Sequence, residues 1–306
     1  MNKKYDNYIC TEELSRKRVD LVLSILTGFS RSKVIYYIKN GLVLKNNIKI
    51  NKGSVTVEKN DVISVFEYEK DFYLSTENNL KNIKIEIIFE NENFIVINKP
   101  PFVAVHSSNI NDKSYTISDW IKENKIWKDV IPDCDSEKER VGIVHRLDKE
   151  TSGILIIAKN NVFCEKFKYL FKNRLIKKTY IAYVDGNIQK EGIINEKIIR
   201  DPNNPTKMIC NKNNGRDAET KYLLIERYNS FNKVFCFPKT GRTHQIRVHL
   251  SHIGVPILGD KVYGRKSNLI NRHALHAFKI EFEIDSINYV FEIELPDDMK
   301  NLSYKK

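Results

Sequence analysis

Three short segments place reactive side chains at spacings that suit chemistry. The first is Val144-His145-Arg146-Leu147-Asp148-Lys149-Glu150-Thr151-Ser152-Gly153, directly ahead of the apolar run Ile154 to Ile157. A polar stretch of alternating sign before a buried strand is a loop at a sheet edge, where sites concentrate. Arg146 and Lys149 flank Asp148 and favour its ionised form, so Asp148 suits an anionic nucleophile or base. The same residue type equally serves to order a loop by accepting backbone N–H groups. The second segment is Lys178-Thr179-Tyr180-Ile181-Ala182-Tyr183-Val184. Strand alternation puts Tyr180, Ala182 and Val184 on one face, so Tyr180 is either core with its hydroxyl at the rim or a ring that stacks on a nucleobase. The third runs Thr240-Gly241-Arg242-Thr243-His244-Gln245-Ile246-Arg247-Val248-His249-Leu250. His244 and Arg247 fall on one helix face, and Arg247 can hold a carboxylate such as Asp148 bidentately, or be an ordinary surface arginine. His244 and His249 have the wrong helical spacing for a metal pair, and no HExxH is present.

The elements that must position these groups follow from periodicity. Thr243 is expected to cap a helix with the stripe Ile246, Leu250 and Ile253, ended by Gly254 and Pro256. A second helix is expected at Phe163, Phe167, Leu170 and Phe171. Extended runs are expected at Ile83 to Ile87, Phe94 to Ile97, Tyr180 to Val184, Ile193 to Ile199 and Ala218 to Ile225. Two more alternate at Ile280, Phe282 and Ile284 and at Phe291, Ile293 and Leu295. Strands outnumber helices and adjoin one another, which predicts an α+β fold with a largely antiparallel sheet. Ahead of these, residues 12–66 form a small unit. A helix is expected over Glu13 to Leu26, with Arg16, Lys17 and Arg18 on its polar side. A second, Arg31 to Asn40, is expected with Ser30 as cap and Gly41 as stop. Arg31 and Lys33 lie in its first turn, against the helix dipole, so helix stability does not explain them. Short strands at 42–44, 48–50 and 62–65 follow, the first two joined by an Asn46-Asn47 turn. Residues 67–82 are polar, lack a period and read as a linker.

The 306 residues carry 51 Lys and Arg against 39 Asp and Glu, a formal charge of +12. With 41% apolar and 10% aromatic residues the chain can bury a core, which excludes wholesale disorder. The cation excess points to a polyanionic partner, or to a proteome rich in Lys and Asn. No apolar run reaches a membrane span, and the opening MNKKYDNYIC lacks a secretory core. Five scattered cysteines without a CxxC pair exclude a disulfide framework and a zinc knuckle. These features together predict a cytoplasmic chain.

Two resemblances join the segments. RVDLVLSILTGFSRSKVIYYIKNGLVLKNNIKI resembles the S-four RNA-binding domain. HRLDKETSG, KTYIAYVDG, TGRTHQIRVHL, PILGDKVYG and HALHA, with INKPPFVAVH ahead of them, resemble the RluA-type RNA pseudouridine synthases and, within these, the RluD-like branch acting on large-subunit ribosomal RNA. Ser107-Ser108 departs from the Pro-Gly frequent at that place, which puts the shape of that loop in doubt.

The resemblance implies the pseudouridine-synthase fold, a mixed, mostly antiparallel sheet with a central cleft. A small α+β S-four-type domain precedes it, with boundaries 1–66, 67–82 for the linker and 83–306. It implies isomerisation of uridines in RNA on a flipped-out base, without cofactor or metal. Asp148 would be the catalytic aspartate, attacking carbon 6 of the ring or carbon 1′ of the sugar, or abstracting a proton to form a glycal. Tyr180 would be the active-site tyrosine and Arg247 the salt-bridging partner of Asp148. Arg146 would fill the gap left by the base, and Arg242, His244, Arg16, Arg31 and Lys33 would meet RNA. The expected partner is large-subunit ribosomal RNA or an assembling subunit, with neither membrane nor DNA involved. Two other classes compete. A non-catalytic RNA-binding or assembly factor does not need Asp148, Tyr180 and Arg247 together. A zinc nucleobase deaminase needs HxE and PCxxC, which are missing.

Overall fold

In the computed structural model the described residues are 5–29, 31–39, 41–66, 85–107, 114–129 and 141–304. They gather into two compact units, one holding residues 5–66 with 106–107, 114–118 and 141, and the other 85–105, 119–129 and 142–304. The expected linker 67–82, Ile83, Ser108, the Ser30 cap and Asn40 lie outside the described residues, as does the side chain of Lys33.

The first unit carries a four-stranded antiparallel sheet in the order β1-β4-β2-β3, with β1 Tyr5–Ile9, β2 Val43–Lys45, β3 Ile48–Lys49 and β4 Val62–Phe66. Helices Val19–Thr27 and Arg31–Lys39 bury Val19, Val22, Leu23, Val34 and Ile38 in a core shared with Val43, Val57 and Ile63. Asn46 and Asn47 both have positive φ, 50° and 65°, which is the backbone a two-residue hairpin turn requires. Gly41, at φ 67°, follows the second helix as expected. The first helix departs from expectation. A 3-10 turn covers Glu12–Leu14, Arg16 takes a left-handed φ of 61°, and the α-helix begins only at Val19. The reason is tertiary pairing. The N–H groups of Arg16 and Val19 donate to Val57 O and Val55 O, both at 2.7 Å, and a helix through this stretch would leave those carbonyls without them.

The second unit is built on a nine-stranded sheet in the order β5-β6-β7-β14-β8-β13-β12-β9, with β15 paired to β14. Its strands are β5 Glu86–Glu90, β6 Phe94–Lys99, β7 Ser152–Ala158, β8 Lys177–Val184, β9 Glu191–Ile194, β12 Thr220–Arg227, β13 Asn232–Pro238, β14 Leu275–Ile284 and β15 Ile287–Glu292. Every pairing is antiparallel except β14 with β7, so the sheet is mixed and mostly antiparallel, as predicted. A separate two-stranded ribbon joins β10 Ile198–Arg200 to β11 Met208–Cys210. The run read as one strand, Ile193 to Ile199, is therefore two, divided between two sheets. The expected face alternation in β8 is masked by its central place. Ile181, Ala182, Tyr183 and Val184 are all buried, because both faces of the sheet are covered there.

The helix Asn161–Lys172 is capped by Asn160, whose Oδ1 accepts from Phe163 N at 2.9 Å. It buries Phe163, Phe167 and Leu170 against Phe94, Ile154, Ile156 and Phe282. Each such aromatic ring contributes about 1.5–3 kcal/mol by leaving water. The helix Gln245–His252 packs Ile246 and Leu250 on the other core cluster.

Candidate active site

The Asp148 loop is held from behind by buried polar groups. Gly153 pairs with Ala277 in the parallel contact of β7 with β14, at φ 118°, and a Cβ there would sit 2.3 Å from Ala277 O, so only glycine fits. That contact brings Ser152 Oγ to 2.9 Å from His276 Nδ1 and Thr151 Oγ1 to 2.8 Å from His273 Nε2. His273 Nδ1 lies 3.3 Å from Glu150 Oε2. The fully buried Arg272 donates through Nη1 to Glu150 O at 3.0 Å and grips Asp298 with Nε and Nη2 at 2.6 and 2.9 Å. At the end of β6, the fully buried Lys99 donates to Pro100 O and Val103 O at 2.8 Å and to Lys149 O at 3.3 Å. Burial pushes its pKa down to about 7, helped by the Arg272 charge and opposed by Asp148. Three carbonyls at the ammonium partly offset that burial. His145 is fixed as an acceptor. Its Nε2 takes the Ile156 N–H at 2.9 Å, its ring stacks on Phe171, and burial followed by Lys178 lowers its pKa to about 3.

The helix Gln245–His252 supplies the facing groups. Thr243 does not cap it. His244 occupies the cap position with a left-handed φ of 56°, and Thr243 is exposed. The loop before it is organised instead by Gln245, whose Oε1 accepts from Thr240 Oγ1 at 2.7 Å and Arg242 N at 2.9 Å. Its Nε2 donates to Glu219 O and Thr220 Oγ1. Arg247 donates from Nη1 to Asp148 Oδ2 at 2.9 Å. Its bidentate edge goes elsewhere, to Asp260, with Nε–Oδ2 at 2.7 Å and Nη2–Oδ1 at 3.0 Å. The expected pairing of Arg247 with Asp148 is therefore present, but the bidentate geometry is not. A guanidinium has one edge pairing Nε with Nη2, and the buried Asp260 takes it.

These contacts set the charge state. Burial opposes ionisation of Asp148, and the cationic forms of His244, Arg247 and His273, with the Arg247 hydrogen bond, more than offset it, so its pKa is lowered. His244, with Nε2 4.0 Å from Asp148 Oδ2, is itself lowered, first by burial and despite Asp148. It is neutral at pH 7, where Arg247 carries the attraction. Asp260 is lowered too, burial being overcome by Arg247. Tyr180 is raised by burial and then by the Asp148 charge, so its hydroxyl stays protonated. Lys178 falls to about 8 through burial.

Asp148, Tyr180 and Arg247 line one cleft of about 530 Å³, together with Arg146, Arg242 and His244. Arg242 also donates from Nε to Asp217 O at 3.0 Å. Arg16 and Arg31 belong to the first unit. Arg16 is exposed, and Arg31 joins Arg18 in pairing the buried Asp20, their Nη2 atoms 2.9 and 3.0 Å from its Oδ2. Lys33 lies in the Arg31–Lys39 helix. The sequence reading missed Asp260, Tyr263, Lys99, His273 and the cleft cations Lys172, Arg174, Lys178 and Lys239. PILGDKVYG, HALHA and INKPPFVAVH marked their segments but assigned them no role. Among the described residues no group of three or more His, Cys, Asp or Glu is placed to hold a metal ion, and no helix is long and apolar enough to cross a membrane.

Comparison with known proteins bears on this geometry. A family model described as RNA pseudouridylate synthase matches residues 93–252. The ribosomal large subunit pseudouridine synthase D of Borreliella burgdorferi is 37% identical over 87% of this chain and 82% of its own. The protein of the same name from Buchnera aphidicola is 35% identical over 94% of this chain and 93% of its own. Among solved structures, human RNA pseudouridylate synthase domain containing 1 superposes with a TM-score of 0.58 at 25% identity, covering 70% of this chain and 84% of that one.

Proposed function

Because the chain belongs to the RNA pseudouridylate synthase family, and is an enzyme of that class, we propose that it isomerises uridines of large-subunit ribosomal RNA to pseudouridine, with Asp148 as the reacting carboxylate. The observation that carries this reading is the charge pattern of the cleft. Among the described lining residues Asp148 is the one acid, set among Arg146, Lys172, Arg174, Lys178, Lys239, Arg242 and Arg247. Such a surface draws in a polyanion and presents a single anionic group to it.

The reaction breaks the N1–C1′ bond of uridine and forms C5–C1′. Carbon 5 loses a proton and N1 gains one, so nothing is oxidised or reduced. A stacked uridine cannot present these atoms, so the base enters the cleft flipped, and the resemblance gives Arg146, which lines that cleft, the role of taking the vacated space. Asp148 meets the base ionised. Tyr180 packs against the ring, and its hydroxyl, protonated at pH 7, relays the carbon 5 proton by accepting it while passing its own on to water. Tyr180→Phe is expected to lower kcat by about 10²-fold, the lower end for a general acid–base group, with KM within about threefold. Single-turnover kinetics check it.

The large-subunit target is supported by the names of the relatives. The first unit is read as an S-four-type domain whose exposed cations meet phosphates. Binding should weaken steeply with salt. Replacing Lys172 and Arg174 together by Gln should flatten the log–log salt slope by about 1.4, at roughly 0.7 per phosphate contact on single strands. Filter binding from low to high salt reads this.

The deciding experiment is tritium release from large-subunit ribosomal RNA labelled at uridine carbon 5, since each conversion sends that label to water. Release is the expected result. Release only from transfer RNA would move the substrate, and none from naked RNA or from partly assembled subunits would overturn the assignment.

A further inference from the structure

The turn Asp260–Tyr263 touches both groups that face Asp148. Asp260 grips Arg247, and the Asp260 carboxylate is itself aimed by the N–H groups of Val262 and Tyr263, which donate to Oδ1 at 2.9 and 3.1 Å. The Tyr263 ring lies 5.0 Å from the Arg247 guanidinium carbon, in cation–π contact. Its hydroxyl lies 2.8 Å from His244 Nδ1, and it accepts the Met208 N–H at 2.8 Å. Ser251 Oγ donates to Tyr263 O at 2.8 Å and ties the turn to the Gln245–His252 helix.

We propose that Tyr263 is a positioning residue for the isomerisation, fixing the tautomer of His244 so that an Nε2–H group faces Asp148. The inference rests on Asp148 as the reacting carboxylate. A backbone N–H can only donate, so Met208 occupies the acceptor side of the phenol oxygen. The phenol proton then goes to His244 Nδ1, which accepts it. His244, neutral at pH 7, carries its own proton on Nε2, 4.0 Å from Asp148 Oδ2. That N–H dipole supports the carboxylate anion. The other tautomer would turn a lone pair toward it and repel it. The donor that sets this arrangement comes from Met208, the first residue of β11, in the separate ribbon β10–β11. Residues 197–216, which hold the ribbon, carry Lys197, Arg200, Lys207, Lys212 and Arg216 against Asp201 alone. The seat of a basic ribbon is thereby linked to the carboxylate through two side chains.

The test uses the full chain with ¹⁵N-labelled histidine. The wild type should show His244 as the Nε2–H tautomer, and Tyr263→Phe, which keeps the ring and loses the hydroxyl, should show a mixture. The same variant should lower kcat by roughly ten- to a hundredfold with KM within about twofold, the effect of a misaligned rather than missing group. His244→Ala should fall comparably, and the double variant no further. Met208→Pro, tolerated at the first position of a strand, removes the N–H donor and should mix the tautomers in its turn. An Nδ1–H tautomer in the wild type, or an unchanged tautomer and kcat in Tyr263→Phe, overturns the proposal. A wild type that releases no tritium overturns instead the reading of Asp148, and the tautomer signal still decides the Tyr263–His244 link.

Discussion

Asp148→Asn is expected to lower kcat by roughly 10³-fold or more, the range seen when an essential nucleophile is removed, while leaving the fold intact. Asparagine keeps the shape and an oxygen for the Arg247 Nη1 donor, but it has no negative charge to offer carbon 6, carbon 1′ or a proton. Stability should change by less than about 1 kcal/mol, because Arg247 retains both bonds to Asp260 and so is not left buried without a carboxylate. Tritium release reads the first effect and urea unfolding the second. The depressed pKa of Asp148 adds a pH signature. The carboxylate stays ionised below the ordinary value of about 3.9, so no acid limb from this group should appear between pH 5 and pH 8. Full activity in Asp148→Asn would transfer the chemistry to another group.

Arg247→Ala should damage both activity and stability. The side chain is 7% exposed and bridges Asp148, 17% exposed, to Asp260, which is fully buried. Removing it leaves two carboxylates in low dielectric without their cation, a loss of about 3–5 kcal/mol in comparable buried pairs. Arg247→Lys keeps the charge but cannot span both partners, so it should fall between the two. The pH dependence should change sign. In the wild type both carboxylates have folded pKa values below their unfolded ones. Their contribution is present above about pH 3.9 and is lost as pH falls through the folded values. Without Arg247, Asp260 keeps only the Val262 and Tyr263 N–H groups against its burial, so its folded value is expected to rise. The folded state then binds that proton first, and stability grows as pH falls toward the raised value. Urea midpoints at pH 5 and pH 7.5 should therefore move in favour of the lower pH in the variant and not in the wild type.

Much of this arrangement was legible in the residues. The alternation of β14, the stripe of the Asn161–Lys172 helix, the Asn46-Asn47 hairpin and the glycine stop at Gly41 are encoded by neighbours a few positions apart. Periodicity and turn chemistry therefore find them, whereas the run expected at Phe291 to Leu295 falls mostly beyond β15. The identity of the three chemical segments was equally plain, since residue type and spacing within a loop or a helix turn are local quantities. The helix expected over Glu13 to Leu26 shows where this stops. Its pattern was sound, but the carbonyls of Val55 and Val57 claim the N–H groups that the first turns would have used. Distant backbone overrode local propensity.

At the site the division is the same. Sequence alone determined which groups exist there: a carboxylate flanked by cations, a tyrosine on a strand, and an arginine one turn into a helix beside a histidine. Only the tertiary structure decided how they are wired. Asp148 and Arg247 are 99 residues apart, and their contact depends on β7 lying parallel to β14, which Gly153 permits by lacking a Cβ. Asp260, rather than Asp148, takes the bidentate edge of Arg247, and no spacing rule distinguishes two carboxylates that the fold brings to one guanidinium. Charge and residue type travel with the chain, whereas hydrogen-bond geometry and burial belong to the space between its segments, and it is these that hold Asp148 ionised and aimed.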